Sequence, residues 1–317
     1  MRRPHWNHLA LALVLALLPA AASRAQDAQH APAARTQAQD DAQGGADDPA
    51  AHDPAARAWQ AAAQAMQRGP HTVALREQAT LKLPEGFGFV PTREAAALME
   101  AMGNDVGANF IGLVMPLAED QDWIISVDFD PAGYIEDEDA KHWDADELLA
   151  SLKEGTEAGN ARRVRLGIAP IEVTRWIEPP SYDDTTQRLV WSAEARDKGA
   201  PAGADDTVNY NTYVLGREGY VSLDLITTTS AVDAHKPIAK RLLGEVAFVD
   251  GKRYADFNAS TDKVATYGLA ALVGGVAAKK LGLLAVLGAF LAKSFKLVAV
   301  GAVAAAAAMR RAFARKR

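Results

Sequence analysis

The chain has 317 residues and no cysteine, which excludes disulfides, thiolate metal sites and cysteine nucleophiles. Its net charge of −6 is unevenly spread: residues 264–317 hold nine Lys/Arg and no acid, so the first 263 carry a net charge of −15. An acidic body of that kind excludes the electrostatics of nucleic-acid binding.

The N-terminus reads as a secretory signal over residues 1–25. Arg2 and Arg3 precede an apolar run at 9–18, then Pro19 and small residues, with cleavage expected after Ala25. Residues 26–69 read as a disordered linker, because Ala, Gln, Asp, Gly and Pro cannot bury enough surface to offset ordering entropy. A short helix is expected at 55–67, stopped by Gly69-Pro70.

The body, 70–258, is mixed. Residues 72–82 alternate as a strand and run into a turn at Leu83-Pro84-Glu85-Gly86. Thr92 begins a helix as a hydroxyl cap, ending near Gly103. Residues 110–115 and 123–129 read as paired strands. A longer helix is predicted at 137–166, with an acidic first turn and with Arg162, Arg163 and Arg165 complementing the dipole at its end. Four strands follow at 171–177, 188–195, 207–215 and 220–228, the last two joined by Gly216-Arg217-Glu218-Gly219. A helix at 233–243 precedes Val246-Ala247-Phe248. The order predicts an α+β fold, an antiparallel sheet with helices packed on one face.

Residues 259–309 read as a membrane anchor of one or two helices, followed by a basic tail at 310–317. Residues 281–292 alone rise only about 18 Å against a hydrocarbon core of about 30 Å; either the flanking Lys279, Lys280, Lys293 and Lys296 snorkel and extend a single span, drawn from about 281–303, or 264–278 forms a first helix and the rest a second. A cleaved signal and a basic C-terminus together predict a body outside and a tail inside. Gly268, Gly275 and Gly282 recur every seven residues, a small-residue seam suited to a homo-oligomer.

The body offers few chemical motifs. Its His71, His142 and His235 lack metal-ligand spacing. Asp128, Asp130, Glu136 and Asp139 fit parts of a calcium-loop template around Gly133, although Ala132 stands where an oxygen ligand belongs. Glu178, Tyr182 and Asp183 flank a rigid Pro179-Pro180 turn. Asn209 and Asn211 project from one face of a strand, where asparagine is disfavoured. Those five residues form a candidate ligand-binding patch.

The residues Leu83-Pro84-Glu85-Gly86-Phe87, Gly133 through Ala140, Pro179 through Asp183 and Asn209-Tyr210-Asn211 follow one another in order. Leu215-Gly216-Arg217, Arg253 through Phe257 and Ser260 through Ala265 continue the series. On these the chain resembles a bacterial family of uncharacterised membrane-anchored proteins, a domain-of-unknown-function family, over about residues 70–309. The resemblance implies location and architecture and carries no catalytic residue. The strand–helix order also resembles the small sandwich of photosystem-associated and nuclear-transport accessory proteins, an analogy of fold alone.

The resulting expectation is a membrane-anchored periplasmic binding or scaffolding protein of the bacterial inner membrane, its C-terminal tail cytoplasmic. Its partners are the lipid bilayer and an envelope or membrane protein, with no nucleic acid and no cofactor beyond the candidate calcium. The rival expectations are an envelope hydrolase using carboxylates such as Glu178 and Asp183, and an accessory subunit of a membrane assembly or transport complex.

Overall fold

A computed structural model describes residues 54–274, apart from Asp105, Glu119, Leu166, Ile168 and 201–204. The leader, most of the linker and residues 275–317 lie outside it. The chain runs α1 (Pro54–Ala65), β1 (Gln67–Arg68), β2 (His71–Leu75), β3 (Ala79–Leu83), β4 (Phe87–Pro91), α2 (Thr92–Ala101), β5 (Phe110–Pro116) and β6 (Ile124–Asp130). It continues through α3 (Ala145–Arg165), β7 (Ile171–Asp183), β8 (Arg188–Asp197), β9 (Thr207–Leu215), β10 (Tyr220–Thr228), α4 (Val232–Gly244) and β11 (Val246–Phe248).

Eight strands form one antiparallel sheet in the order β1-β4-β5-β6-β10-β9-β8-β7, and β11-β3-β2 form a second. The α+β class and the antiparallel sheet agree with the sequence. The expectation of helices on one face does not. In β9, Val208, Tyr210 and Val214 join the core under α4 and the small sheet, whereas Tyr213 and Leu215 join the core under α3. On that second face α1 and α2 cover the β4–β5 end through Ala62, Leu98 and Met99. Both faces of the middle strands are apolar in places, so both need a cover.

Other boundaries move for local reasons. Residues 72–82 form a hairpin because Arg76 adopts φ 56° and turns the chain without glycine or proline. β4 was invisible as a strand: Phe87-Gly88-Phe89-Val90 is buried throughout and has no alternation. The long helix starts at Ala145, eight residues late, because Asp144 Oδ1 accepts the N–H groups of Asp146 (2.8 Å) and Glu147 (3.0 Å) and caps it. Thr92 is not a cap, since its hydroxyl donates to Ile111 O.

The expected boundary of the anchor is also displaced. Residues 259–274 belong to the folded body: Leu269, Ala270 and Val273 are buried in the core under α3. Their apolarity, which read as lipid contact, is satisfied by protein. No helix among the described residues is long and apolar enough to cross a membrane, and the remainder of the expected anchor lies outside them.

Candidate functional site

The face of the sheet that bears α3 carries polar residues in its middle, in two neighbouring rungs. One rung reads Ser126, Asp224, Asn211, Trp191 across β6, β10, β9 and β8; the next reads Asp128, Ser222, Tyr213, Leu189. Directly opposed residues share a face, and rungs two residues apart share it too. Asp128 and Asp224 are therefore diagonal neighbours in the middle of a sheet. Ser126 Oγ donates to Asp128 Oδ2 at 2.8 Å, while Asp224 Oδ1 is buried with no hydrogen-bond partner among the described residues. Burial first, and the negative charge of Asp128 second, push the Asp224 carboxyl up to about 8. Burial likewise raises Asp128. The pair can hold a proton near neutral pH.

Beside these rungs lies a cavity of about 190 Å³ between α3 and strands β7, β8 and β9. Leu152, Ile171, Val173 and Ala193 give it apolar walls, Trp191 an indole face, and Asn209 and Asn211 amides. Arg196, Asp197, Asp205, Asp206 and Thr207 also line it. Asn211 joins cavity to acid pair, since it lines the one and opposes Asp224 in the other.

A second cluster grips the C-terminal segment. Gly133, at φ +97°, lets residue 263 approach: a Cβ there would sit 2.6 Å from Lys263 O. Tyr134 N donates to Lys263 O and Ala265 N to Tyr134 O, both at 2.8 Å, and the Tyr134 ring stacks between Tyr254 and Phe257 at 4.4 and 3.8 Å. Arg217 holds Asp262 through two hydrogen bonds of 2.6 and 2.8 Å. Asp139 accepts the N–H groups of Leu269 (3.1 Å) and Ala270 (3.0 Å), at the entry to the helical turn 271–274. Three of the stretches that carried the resemblance, around residues 133–140, 253–257 and 260–265, thus interlock at one place.

The predicted site residues separate accordingly. Asn209 and Asn211 line the cavity. Glu178 faces α4, on the opposite side of the sheet, in an ion pair of 2.7 Å with Lys240. Tyr182 donates to Asp137 Oδ2 at 2.7 Å, beside the cluster that grips the tail, and burial together with that bond raises its pKa. Asp183 is exposed and accepts bonds from Thr185 and Thr186, which hold its pKa down at about 2. The five do not form one patch, because the Pro179-Pro180 turn lies within β7 and points its neighbours to different partners.

The four candidate calcium ligands do not converge either. Asp128 and Asp130 lie on β6, Glu136 is exposed, and Asp139 is committed to the backbone of Leu269 and Ala270. No group of three or more His, Cys, Asp or Glu among the described residues is placed to hold a metal ion. Gly268 of the expected oligomer seam faces the Asp139 carboxylate, where a Cβ would lie 2.3 Å from Oδ2; Gly275 and Gly282 lie outside the described residues.

Sequence reasoning missed Asp224. Ser222-Leu223-Asp224-Leu225 alternates as any half-exposed strand does.

A family model described as "Protein of unknown function (DUF2167)" matches residues 67–305. The chain belongs to this family. The DUF2167 match begins at β1 and takes in the sheet, the cavity and the gripped segment. No curated protein matches the sequence. Among solved structures the DUF2167 chain is similar to cyanobacterial PsbP (CyanoP) from Synechocystis sp. PCC 6803, at 12% identity and a TM-score of 0.35 over 58% of this chain and 93% of that one.

Proposed function

We propose that this protein is a membrane-anchored, periplasmic binding module whose ligand enters the cavity between α3 and the β7–β8–β9 face. One observation carries the reading: Asn209 and Asn211, polar amides in the middle of a sheet, line a cavity of about 190 Å³ together with apolar Leu152, Ile171, Val173 and Ala193, the Trp191 indole, and charged Arg196, Asp197, Asp205 and Asp206. Concave, mostly apolar sites with a few fixed polar groups are where small ligands bind. The signal-like leader and the apolar, basic C-terminus supply the location, with the bilayer as one partner and the tail on the cytoplasmic side. The grip on residues 258–274 supports the tether, because it fixes the chain directly before the rest of the apolar stretch.

The test uses the full chain in native membranes with a photoreactive residue in place of Thr207 at the cavity. The reading expects a defined adduct that disappears in an Ala193→Phe background, which fills the cavity from β8. An adduct unaffected by Ala193→Phe contradicts it.

A further inference from the structure

Asn211 stands between the cavity and the acid pair. On its β8 side it opposes Trp191, which lines the cavity with it; on its β10 side it opposes Asp224. Its amide leans toward β8, where Nδ2 donates to Trp191 O at 3.5 Å and to Asn209 O at 3.2 Å. One of these bonds is at the upper limit of ordinary N–H···O length and the other is beyond it, so the amide is held weakly.

Asp224 has the complementary shortage. Its Oδ1 is a buried acceptor with no donor among the described residues. The opposed hydroxyl on β6, Ser126, already donates to Asp128 at 2.8 Å. Leaving the acceptor unmet costs far less while the carboxyl is protonated than while it is charged. Directly opposed side chains have Cβ atoms about 4.5–5.5 Å apart, so the Asn211 amide is within reach. A bond to a charged acceptor is about twice as strong as one to a neutral carbonyl.

The surrounding groups set the direction. Burial and then Asp128 raise the Asp224 pKa, against Ser222 and the Thr212 N–H. Burial raises Asp128 too, against Ser126 and Arg76 and with help from Asp130. Asp130 is itself raised by burial, against Tyr220 and Lys263. Burial first lifts Tyr213 and Tyr220 well above the ordinary phenol value and pushes Tyr267 up to about 12, so these three stay neutral. Among the described residues, neither Asp128 nor Asp224 belongs to a group placed to hold a metal ion.

We propose that Asn211 is a proton-operated switch on the cavity. With Asp224 protonated, the amide stays against Trp191 and forms part of the cavity wall. With Asp224 ionised, Nδ2 turns to the carboxylate and the wall loses its donor. A ligand held by that wall binds the protonated state better, so its affinity falls as pH rises. This coupling rests on the cavity being the binding site proposed above; the switch itself does not.

Nuclear magnetic resonance of the detergent-solubilised full chain with isotope-labelled asparagine tests the switch without a ligand. The Asn211 side-chain signal, identified as the one missing from Asn211→Ser, should move with a midpoint at about pH 8. It should stay fixed in Asp224→Asn. In Asp128→Asn, which removes the neighbouring negative charge, the midpoint should drop, and this variant carries the test if Asp224→Asn fails to fold. A signal that stays fixed in the wild type, moves equally in Asp224→Asn, or keeps its midpoint in Asp128→Asn overturns the switch. In native membranes, the yield of the adduct at residue 207 should fall about fivefold from pH 6 to pH 9, the worth of one hydrogen bond, and stay level in Asp224→Asn. A wild-type yield that stays level overturns the coupling. An adduct unaffected by Ala193→Phe removes the cavity as the binding site, and the Asn211 signal then decides the switch alone.

Discussion

Asp139 and Leu269, 130 residues apart in sequence, are joined by a hydrogen bond from the Leu269 N–H to Asp139 Oδ1 at 3.1 Å, and the adjacent Ala270 N–H takes Oδ2 at 3.0 Å. One carboxylate thus meets two backbone donors where the helical turn 271–274 begins. It converts an apolar segment that looks ready for lipid into part of the domain.

Removing that carboxylate should loosen the end of the domain first. Asp139→Ala is expected to cost about 1 kcal/mol, the usual loss for a helix-terminal acceptor. Hydrogen exchange should show protection lost at residues 264–274 and retained in β9 and β10. Uniform loss across the sheet would mean that Asp139 supports the whole fold instead.

The Arg217–Asp262 pair adds a pH dependence with a definite sign. The Arg217 bonds hold the Asp262 carboxyl below the ordinary carboxylate range. A group whose folded pKa is depressed contributes stability above its unfolded value, and that contribution fades as pH falls toward the folded one. Protection of residues 258–265 should therefore fall below about pH 4 in the wild type, near the ordinary aspartate value. Asp262→Asn should show the weakened state at every pH; a wild type with equal protection at pH 3 and pH 6 would remove this pair from the grip.

Asp224 has the opposite sign. Its carboxyl is pushed up to about 8 by burial and by Asp128, so the folded state binds a proton that the unfolded state releases near pH 4. Stability from this group is full below pH 4 and declines as pH rises toward 8. Asp224→Asn should raise the melting temperature more at pH 8 than at pH 5 and flatten the profile between them. An equal gain at both values would show that the carboxyl is ionised throughout.

The β9–β10 hairpin was legible because Gly216 and Gly219 bracket a two-residue turn between alternating runs, and the register Leu215 with Tyr220 follows from it. The cavity was half legible: asparagine at 209 and 211 is out of place in a strand, and that mismatch pointed to the site. The acid pair beside it was not, because Asp224 looks solvent-exposed until both sheet faces are known to be covered. The tail failed for a similar reason. Leu269, Ala270 and Val273 have the composition of a lipid-facing segment, and only their packing against α3's layer shows that part of it is core.

The most direct measurement of the whole account compares the full chain with a chain ending at Gly274, both expressed with the leader, by alkaline carbonate extraction of membranes. The full chain should stay in the membrane pellet, while the shorter one should appear in the soluble fraction, folded and with the same melting temperature. A full chain released by carbonate would contradict the claim that a water-facing binding domain is held on the bilayer by its own C-terminal end.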